Sequence, residues 1–282
     1  MHVFCFRLTR LANSLQIDGN TNPLVLTLHN PSLPLTSQSG LSWHPGGHDL
    51  LITGPRPYYH VYDMQSASMR TVGGVLLGSR FSSMKRARTD RGDSDGFETT
   101  AFSPTGNLLA IAGRGGVVHL VDWKAPGQVV GSVKVEGGGV APNGLWWSGD
   151  RFLAALSASS LLHIFDIGEH RCVRKWRDEG GWKGSARGVA GFASSDGKGL
   201  LTIGSNVGLV NVYDSQAFLP STQTDEPRAK PIKTLEQLTT SVSTMRFNHD
   251  GRILAVSSEG KDKLRLVRIF FSFRYDTLIN LE

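Results

Sequence analysis

The sequence predicts an all-β chain built from about five repeats of one antiparallel unit, with a partial unit before them. Three observations carry this. Five segments open on an aromatic residue and run through a polar, mostly Gly-containing turn into a short apolar strand. Each then passes a small-residue turn into a second strand, and four of the five close on Asp. The opening aromatics, Trp43, Phe102, Trp147, Phe192 and Phe247, are spaced by 59, 45, 45 and 55 residues.

The first repeat runs from Trp43 through Leu50–Ile52 and ends in Tyr59-His-Val-Tyr-Asp63. The second passes Leu108–Ile111 and ends in Val117-Val-His-Leu-Val-Asp122. The third passes Leu153–Leu156 and ends in Leu162-His-Ile-Phe-Asp166. The fourth passes Leu200–Ile203 and ends in Leu209-Val-Asn-Val-Tyr-Asp214. The fifth passes Ile253–Val256 and ends in Leu264-Arg-Leu-Val-Arg-Ile269, with Arg268 in place of the closing Asp. Asp-Gly, Thr-Gly and Gly-Gly supply the positive φ that tight turns need. Short apolar runs suit strands buried on both faces. The closing carboxylates of Asp63, Asp122, Asp166 and Asp214 can accept hydrogen bonds from turn N–H groups and pin those corners. A repeat of about 40–45 residues with four short strands is the signature of a WD40-type β-propeller blade.

The expected organisation is an incomplete propeller over residues 11–269, with about five full blades and a partial first blade. Surface loops are inserted at 78–96 and 218–228. The tail 270–282 shows no second repeat strand and has no assigned structure. The longer intervals, 59 and 55, contain the two inserts.

Composition narrows the class. Lys plus Arg number 30 against 24 for Asp plus Glu, a net charge of +6 that permits contact with RNA or acidic proteins without requiring it. Cys5 and Cys172 are too few for a disulfide framework and have no zinc spacing. No apolar run reaches the ~18 residues of a membrane helix. The apolar patch in Met1–Arg10 is too short for the core of a secretion signal.

Catalytic, cofactor and metal motifs are not found. There is no Gly-x-Ser-x-Gly elbow and no phosphate-loop Gly-Lys-Ser/Thr. Gly113-Arg-Gly-Gly116 joins two antiparallel strands and reads as a turn. His44 and His48 sit in a Pro-Gly-Gly turn, not on a helix face. The chemistry-bearing candidate is a basic segment: Arg171, Arg174, Lys175, Arg177, Lys183 and Arg187, beside Trp176 and Trp182. Cations next to aromatics suit RNA backbone contact with base stacking. An outer strand with snorkelling cations and packed tryptophans fits the same residues. Strand alternation points Arg174 and Trp176 one way and Lys175 and Arg177 the other. A second patch, Lys85, Arg86, Arg88 and Arg91, is diluted by Asp90, Asp93 and Asp95 and reads as a solvated loop.

Several segments are more specific than the repeat. Gln16-Ile-Asp-Gly-Asn-Thr-Asn-Pro23, Tyr59-His-Val-Tyr-Asp-Met64, Arg174-Lys-Trp-Arg-Asp-Glu-Gly180 and Gly204-Ser-Asn-Val-Gly-Leu-Val-Asn-Val-Tyr213 resemble the U3 small nucleolar RNA-associated protein 18 family. Lys230-Pro-Ile-Lys233 and the stretch Leu254–Val267 do so as well, in the family's order. The resemblance implies a non-catalytic WD40 scaffold of the small-subunit processome, acting in nucleolar pre-ribosomal RNA processing and 18S maturation. It implies as partners other WD40 proteins of the UTP-B subcomplex, U3 small nucleolar RNA and pre-ribosomal RNA, with no membrane and no small-molecule substrate. The family's long charged N-terminal region, with its motif for the exosome helicase, has no counterpart, so exosome recruitment is not carried over. The first blade is reduced to a strand around Ser14–Ile17, and no blade is recognised after Ile269. Both ends therefore read as truncated, and the first and last full blades are each expected to expose strand edges and apolar side chains. A rival reading is a WD40 substrate receptor of a ubiquitin ligase. An Asp-Arg pair closing a repeat would favour it, and none of the closing aspartates is followed by Arg. A propeller enzyme would need converging acid, base or metal residues, and none is visible.

Overall fold

The structure is a computed structural model that describes residues 2–6, 24–29, 40–54, 58–73, 99–112, 115–136, 142–178, 186–193, 199–218, 229–236, 238–260, 264–269 and 279–281. Strands β1 (His2–Phe6) and β2 (Leu24–His29) pair as an antiparallel unit. Five four-stranded antiparallel sheets follow, each in strict chain order. The first blade holds β3 (Leu41–Trp43), β4 (Asp49–Ile52), β5 (Tyr58–Asp63) and β6 (Ser68–Gly73). The second holds β7 (Thr99–Phe102), β8 (Leu108–Ala112), β9 (Val117–Asp122) and β10 (Val129–Lys134). The third holds β11 (Gly144–Ser148), β12 (Phe152–Leu156), β13 (Leu161–Asp166) and β14 (Arg171–Arg177). The fourth holds β15 (Ala186–Ala193), β16 (Gly199–Ser205), β17 (Val210–Asp214) and β18 (Lys233–Leu235). The fifth holds β19 (Val242–Phe247), β20 (Ile253–Ser258), β21 (Leu264–Arg268) and β22 (Ile279–Leu281).

The period-two alternation of a strand explains why the second strands read as unbroken apolar runs. Successive side chains point to opposite faces, and each middle blade has a neighbour on both. In β8, Leu109 and Ile111 pack toward the first blade, with Leu51, Tyr59 and Val61. Ala110 and Ala112 pack toward the third, with Leu153, Ala155 and Phe165. In β12, Ala154 and Leu156 turn the other way, onto Leu201, Ile203 and Tyr213 of the fourth blade. In β16, Leu200 shares a cluster with Leu254 and Val256 of the fifth. The expected core strands are therefore β4, β8, β12, β16 and β20. Fully burying a Leu, Ile or Phe side chain is worth about 1.5–3 kcal/mol, and these interfaces are where that burial is concentrated.

Two features depart from the sequence reading. The first blade's outer face is not left open, because Leu28 of β2 packs on Leu50, Ile52 and Tyr62. The tail contributes a strand: β22 pairs with β21 through Val267 and Asn280 and supplies the fifth blade's fourth strand. The expected strand remnant at Ser14–Ile17 and the loop 78–96 lie outside the described residues. Of the loop 218–228, only Phe218 is described, and it is buried in the cluster joining the third and fourth blades.

A buried polar column runs through the third strands. His60, His119, His163 and Asn211 each stand three residues before a closing Asp and are 6%, 4%, 1% and 2% exposed. The imidazole Nε2 of His163 accepts the N–H of Glu136 at 3.3 Å. Asn211 Nδ2 donates to Asp178 Oδ1 at 2.8 Å. Glu136 and Asp178 each lie just past the outermost strand of the preceding blade, so these side chains tie one blade to the next.

Accepting a backbone N–H requires His163 to be neutral at Nε2. Burial holds its pKa below the ordinary histidine range. The Glu136 carboxylate opposes this shift and the Lys175 ammonium adds to it. The unfolded chain then binds a proton that the folded chain does not. Stability from this site is complete above about pH 6.5 and is lost as pH falls below that value toward the lowered folded pKa. His163→Asn, which copies the fourth blade's Asn211, is expected to flatten the fall in melting temperature between pH 7 and pH 5. Thermal melts across that range check it, and parallel curves for variant and parent would contradict it.

Candidate basic interface on the third blade

Strand β14 is the outermost strand of the third blade and carries four of the six candidate cations. Alternation sends Arg174 and Trp176 toward the fourth blade. Trp176 is 5% exposed, donates Nε1–H to the Ala217 carbonyl at 2.9 Å and packs against the Tyr213 ring at 4.7 Å. It is a core residue and offers no free face for a base, which removes the stacking half of the sequence argument at this position. Arg174 donates to the Gln216 carbonyl. On the opposite side, Lys175 pairs with Glu136 at 2.8 Å. This pair holds the Glu136 carboxyl below its ordinary range and the Lys175 ammonium above its own. Both side chains are largely exposed, so salt screens the pair and it adds little to stability. Arg177 donates to the Ser159 carbonyl at 3.0 Å, and Arg171 pairs with Glu169.

Each described cation of β14 thus has a partner within the chain, while Arg171, Lys175 and Arg177 keep solvent-facing surface. Arg187 is exposed but stands on β15, the innermost strand of the fourth blade. The structure therefore separates it from the β14 group. Lys183 and Trp182, and the second basic patch from Lys85 to Arg91, lie outside the described residues.

The closing aspartates sit at the turns between third and fourth strands. Asp63 Oδ1 accepts the N–H of Gln65 at 2.8 Å, and Asp122 Oδ1 that of Lys124 at 2.9 Å. Asp166 Oδ1 accepts the N–H of Gly168 at 2.9 Å, and Asp214 Oδ1 that of Gln216 at 3.1 Å. The shared geometry is an Asx turn, in which the carboxylate takes the N–H two residues on. Asp166 also holds Arg151 Nη2 at 2.7 Å, and this cation lowers its carboxyl below the ordinary range. At the junction of the first two blades, His44 Nε2 lies 3.0 Å from the Gly106 carbonyl and its ring stacks on Trp123, whose Nε1 donates to Asp49 Oδ2 at 3.1 Å.

The polar column and Asp178 are not among the residues the sequence singles out. A signal was present, since the residue three before each closing Asp is His, His, His and Asn in turn. Among the described residues, no group of three or more His, Cys, Asp or Glu is placed to hold a metal ion. No helix among them is long and apolar enough to cross a membrane.

Radially arranged four-stranded sheets in chain order define a WD40-type β-propeller. A solved structure, the β-propeller domain of Cps50 (Swd1) from Myceliophteria thermophila, shares this fold at a TM-score of 0.62 and 16% identity, over 87% of this chain and 71% of that one. In sequence, the chain is similar to proteins named U3 small nucleolar RNA-associated protein 18. It is 32% identical to the probable Schizosaccharomyces pombe protein of that name over 90% of its own length and 44% of the relative's. The Homo sapiens homologue is 29% identical over 90% of this chain and 41% of that protein. The Saccharomyces cerevisiae protein is 26% identical over 90% and 46%. The chain thus spans less than half the length of the curated relatives it matches. No family model matches it.

Proposed function

We propose that the chain is a non-catalytic WD40 scaffold of ribosome biogenesis, acting within the nucleolar small-subunit processome in pre-ribosomal RNA processing and 18S maturation. The observation that carries this reading is similarity over nine-tenths of the chain to proteins named for association with U3 small nucleolar RNA. The propeller architecture supports it. Its ordered side-chain network ties blades together and leaves rims and turns for partners. Those partners are U3 small nucleolar RNA, pre-ribosomal RNA and other WD40 proteins of the UTP-B subcomplex. The solvent-facing cations Arg171, Lys175, Arg177 and Arg187 are the described residues proposed for RNA or partner contact.

The test is recovery of the tagged chain from its own cells at low and rising salt. U3 RNA is expected to come with it, above the level seen with a tagged control. Each RNA phosphate contact contributes about 0.7–0.9 to the log–log salt slope. If β14 touches RNA, replacing Arg171, Lys175 and Arg177 by Gln lowers that slope. An unchanged slope with intact folding would assign the strand to structure alone, and absence of U3 RNA at low salt would overturn the functional reading.

A further inference from the structure

Two innermost strands carry a bulge at the same place. In β15, Ala186 pairs with Ser205 and Gly188 with Gly204, so Arg187 is the extra residue. In β19, Val242 pairs with Ser258 and Thr244 with Ser257, so Ser243 is the extra residue. Ser205 and Ser258 each end the second strand of their blade, so both bulges lie at one end of the propeller. The packing registers the shift. Ala186 and Val189 join one cluster, and Val242 and Met245 another, although each pair is three residues apart. A bulge takes side chains out of the strand's alternation and re-aims them. Arg187, Ser243 and Thr244 are exposed. Among the described residues no carboxylate pairs with Arg187, the exposed Glu259 just past β20 included. None of the innermost strands β3, β7, β11, β15 and β19 contains Asp or Glu. Beside Arg187 there is room. A Cβ built on Gly144 of β11 would stand 2.9 Å from Val189, but one built on Gly188 would meet no atom within 4 Å. The φ of Gly188 is not positive either. Neither crowding nor backbone conformation therefore requires glycine at 188.

We propose that Arg187 and the notch at Gly188 receive an Asp or Glu side chain from an extended segment of a protein partner. A guanidinium takes a carboxylate in a bidentate pair, and the missing side chain of Gly188 lets the partner approach the backbone. The notch selects against RNA. A phosphodiester carries a sugar on each side, whereas a carboxylate on the short stem of Asp or Glu fits a gap one side chain wide. This rests on the scaffold reading above and narrows the partner of Arg187 within it.

The experiment titrates the purified full chain with a fluorescent peptide of alternating Glu and Ser, with the same peptide carrying Gln for Glu, and with oligouridylate. Anisotropy is expected to show binding of the Glu peptide and not of the Gln peptide. Arg187→Gln should weaken that binding at least about tenfold. Gly188→Val, which fills the notch, should weaken it as much while melting like the parent. Lys124→Gln removes an exposed cation from the second blade and should leave binding unchanged. Failure of the Glu peptide to bind, equal binding of both peptides, or equal weakening by Arg187→Gln and Lys124→Gln would overturn the proposal. So would normal binding by Gly188→Val, or oligouridylate displacing the Glu peptide through Arg187. Absence of U3 RNA from the tagged parent chain would overturn the scaffold reading alone, because the titration needs no other component of the cell.

Discussion

Trp176→Ala is expected to unfold the propeller at its centre rather than strip it of a ligand. The indole is almost wholly buried between the third and fourth blades, among Leu162, Ile164, Tyr213, Ala217 and Phe218. Removing a buried Trp side chain costs about 3–5 kcal/mol, because transfer free energy is lost and a cavity remains. The Ala217 carbonyl also loses its donor, and an unpaired buried polar group adds about 1–3 kcal/mol. Domain stabilities are about 5–15 kcal/mol, so this one change removes a large share. Chemical denaturation is expected to show a strongly lowered midpoint, with Trp176→Phe recovering part of it by refilling the space without restoring the N–H. If Trp176→Ala melts like the parent and loses only RNA affinity, the ring is a stacking platform and its burial has been misread.

The second large effect is expected from Asp178→Ala. Asp178 is 5% exposed and accepts from both Asn211 Nδ2 and the Tyr213 hydroxyl. Thr234 in turn donates to Asn211 Oδ1 at 2.8 Å, so one carboxylate organises three side chains from the middle to the outer edge of the fourth blade. Alanine leaves the Asn211 amide and the Tyr213 hydroxyl without their acceptor, at about 1–3 kcal/mol for each buried group. Asp178→Asn keeps one acceptor oxygen and is expected to lose less. Replacing Asn211 by Leu in the Asp178→Ala background should recover part of the stability, because an apolar residue needs no partner there. A double-mutant cycle measures the coupling. Strict additivity of the two changes would show that the network does not join the blades.

The repeats were legible because each blade reuses one pattern. An aromatic, a turn and an apolar run place β4, β8, β12, β16 and β20 directly. Short strands without that context were not legible. Ile279-Asn-Leu281 has no turn signal before it, and its pairing with β21 is not marked by any local pattern. The apolar patch in Met1–Arg10 reads only as too short for the core of a secretion signal, and nothing local marks His2–Phe6 as a strand that pairs with β2. The basic cluster was legible as composition but not as geometry. Lys175 meets Glu136 across 39 residues of chain, and Arg174 meets Gln216 across 42. Nothing local to 171–187 reveals that these cations have partners, or that the strand places Trp176 inside. The polar column was written in the repeats, but a His on a half-apolar strand reads equally as surface or core until the neighbouring blade is in place.

The proposed role is that of a scaffold bound to the U3-containing machinery that makes the small ribosomal subunit. The most direct measurement is sequencing of the RNAs that co-purify, after crosslinking, with the tagged chain from its own cells. U3 small nucleolar RNA and the precursor of 18S ribosomal RNA are expected to be enriched over their cellular abundance, while large-subunit ribosomal RNA is not. A recovered RNA pool that only mirrors cellular abundance, or one dominated by large-subunit precursors, would contradict it.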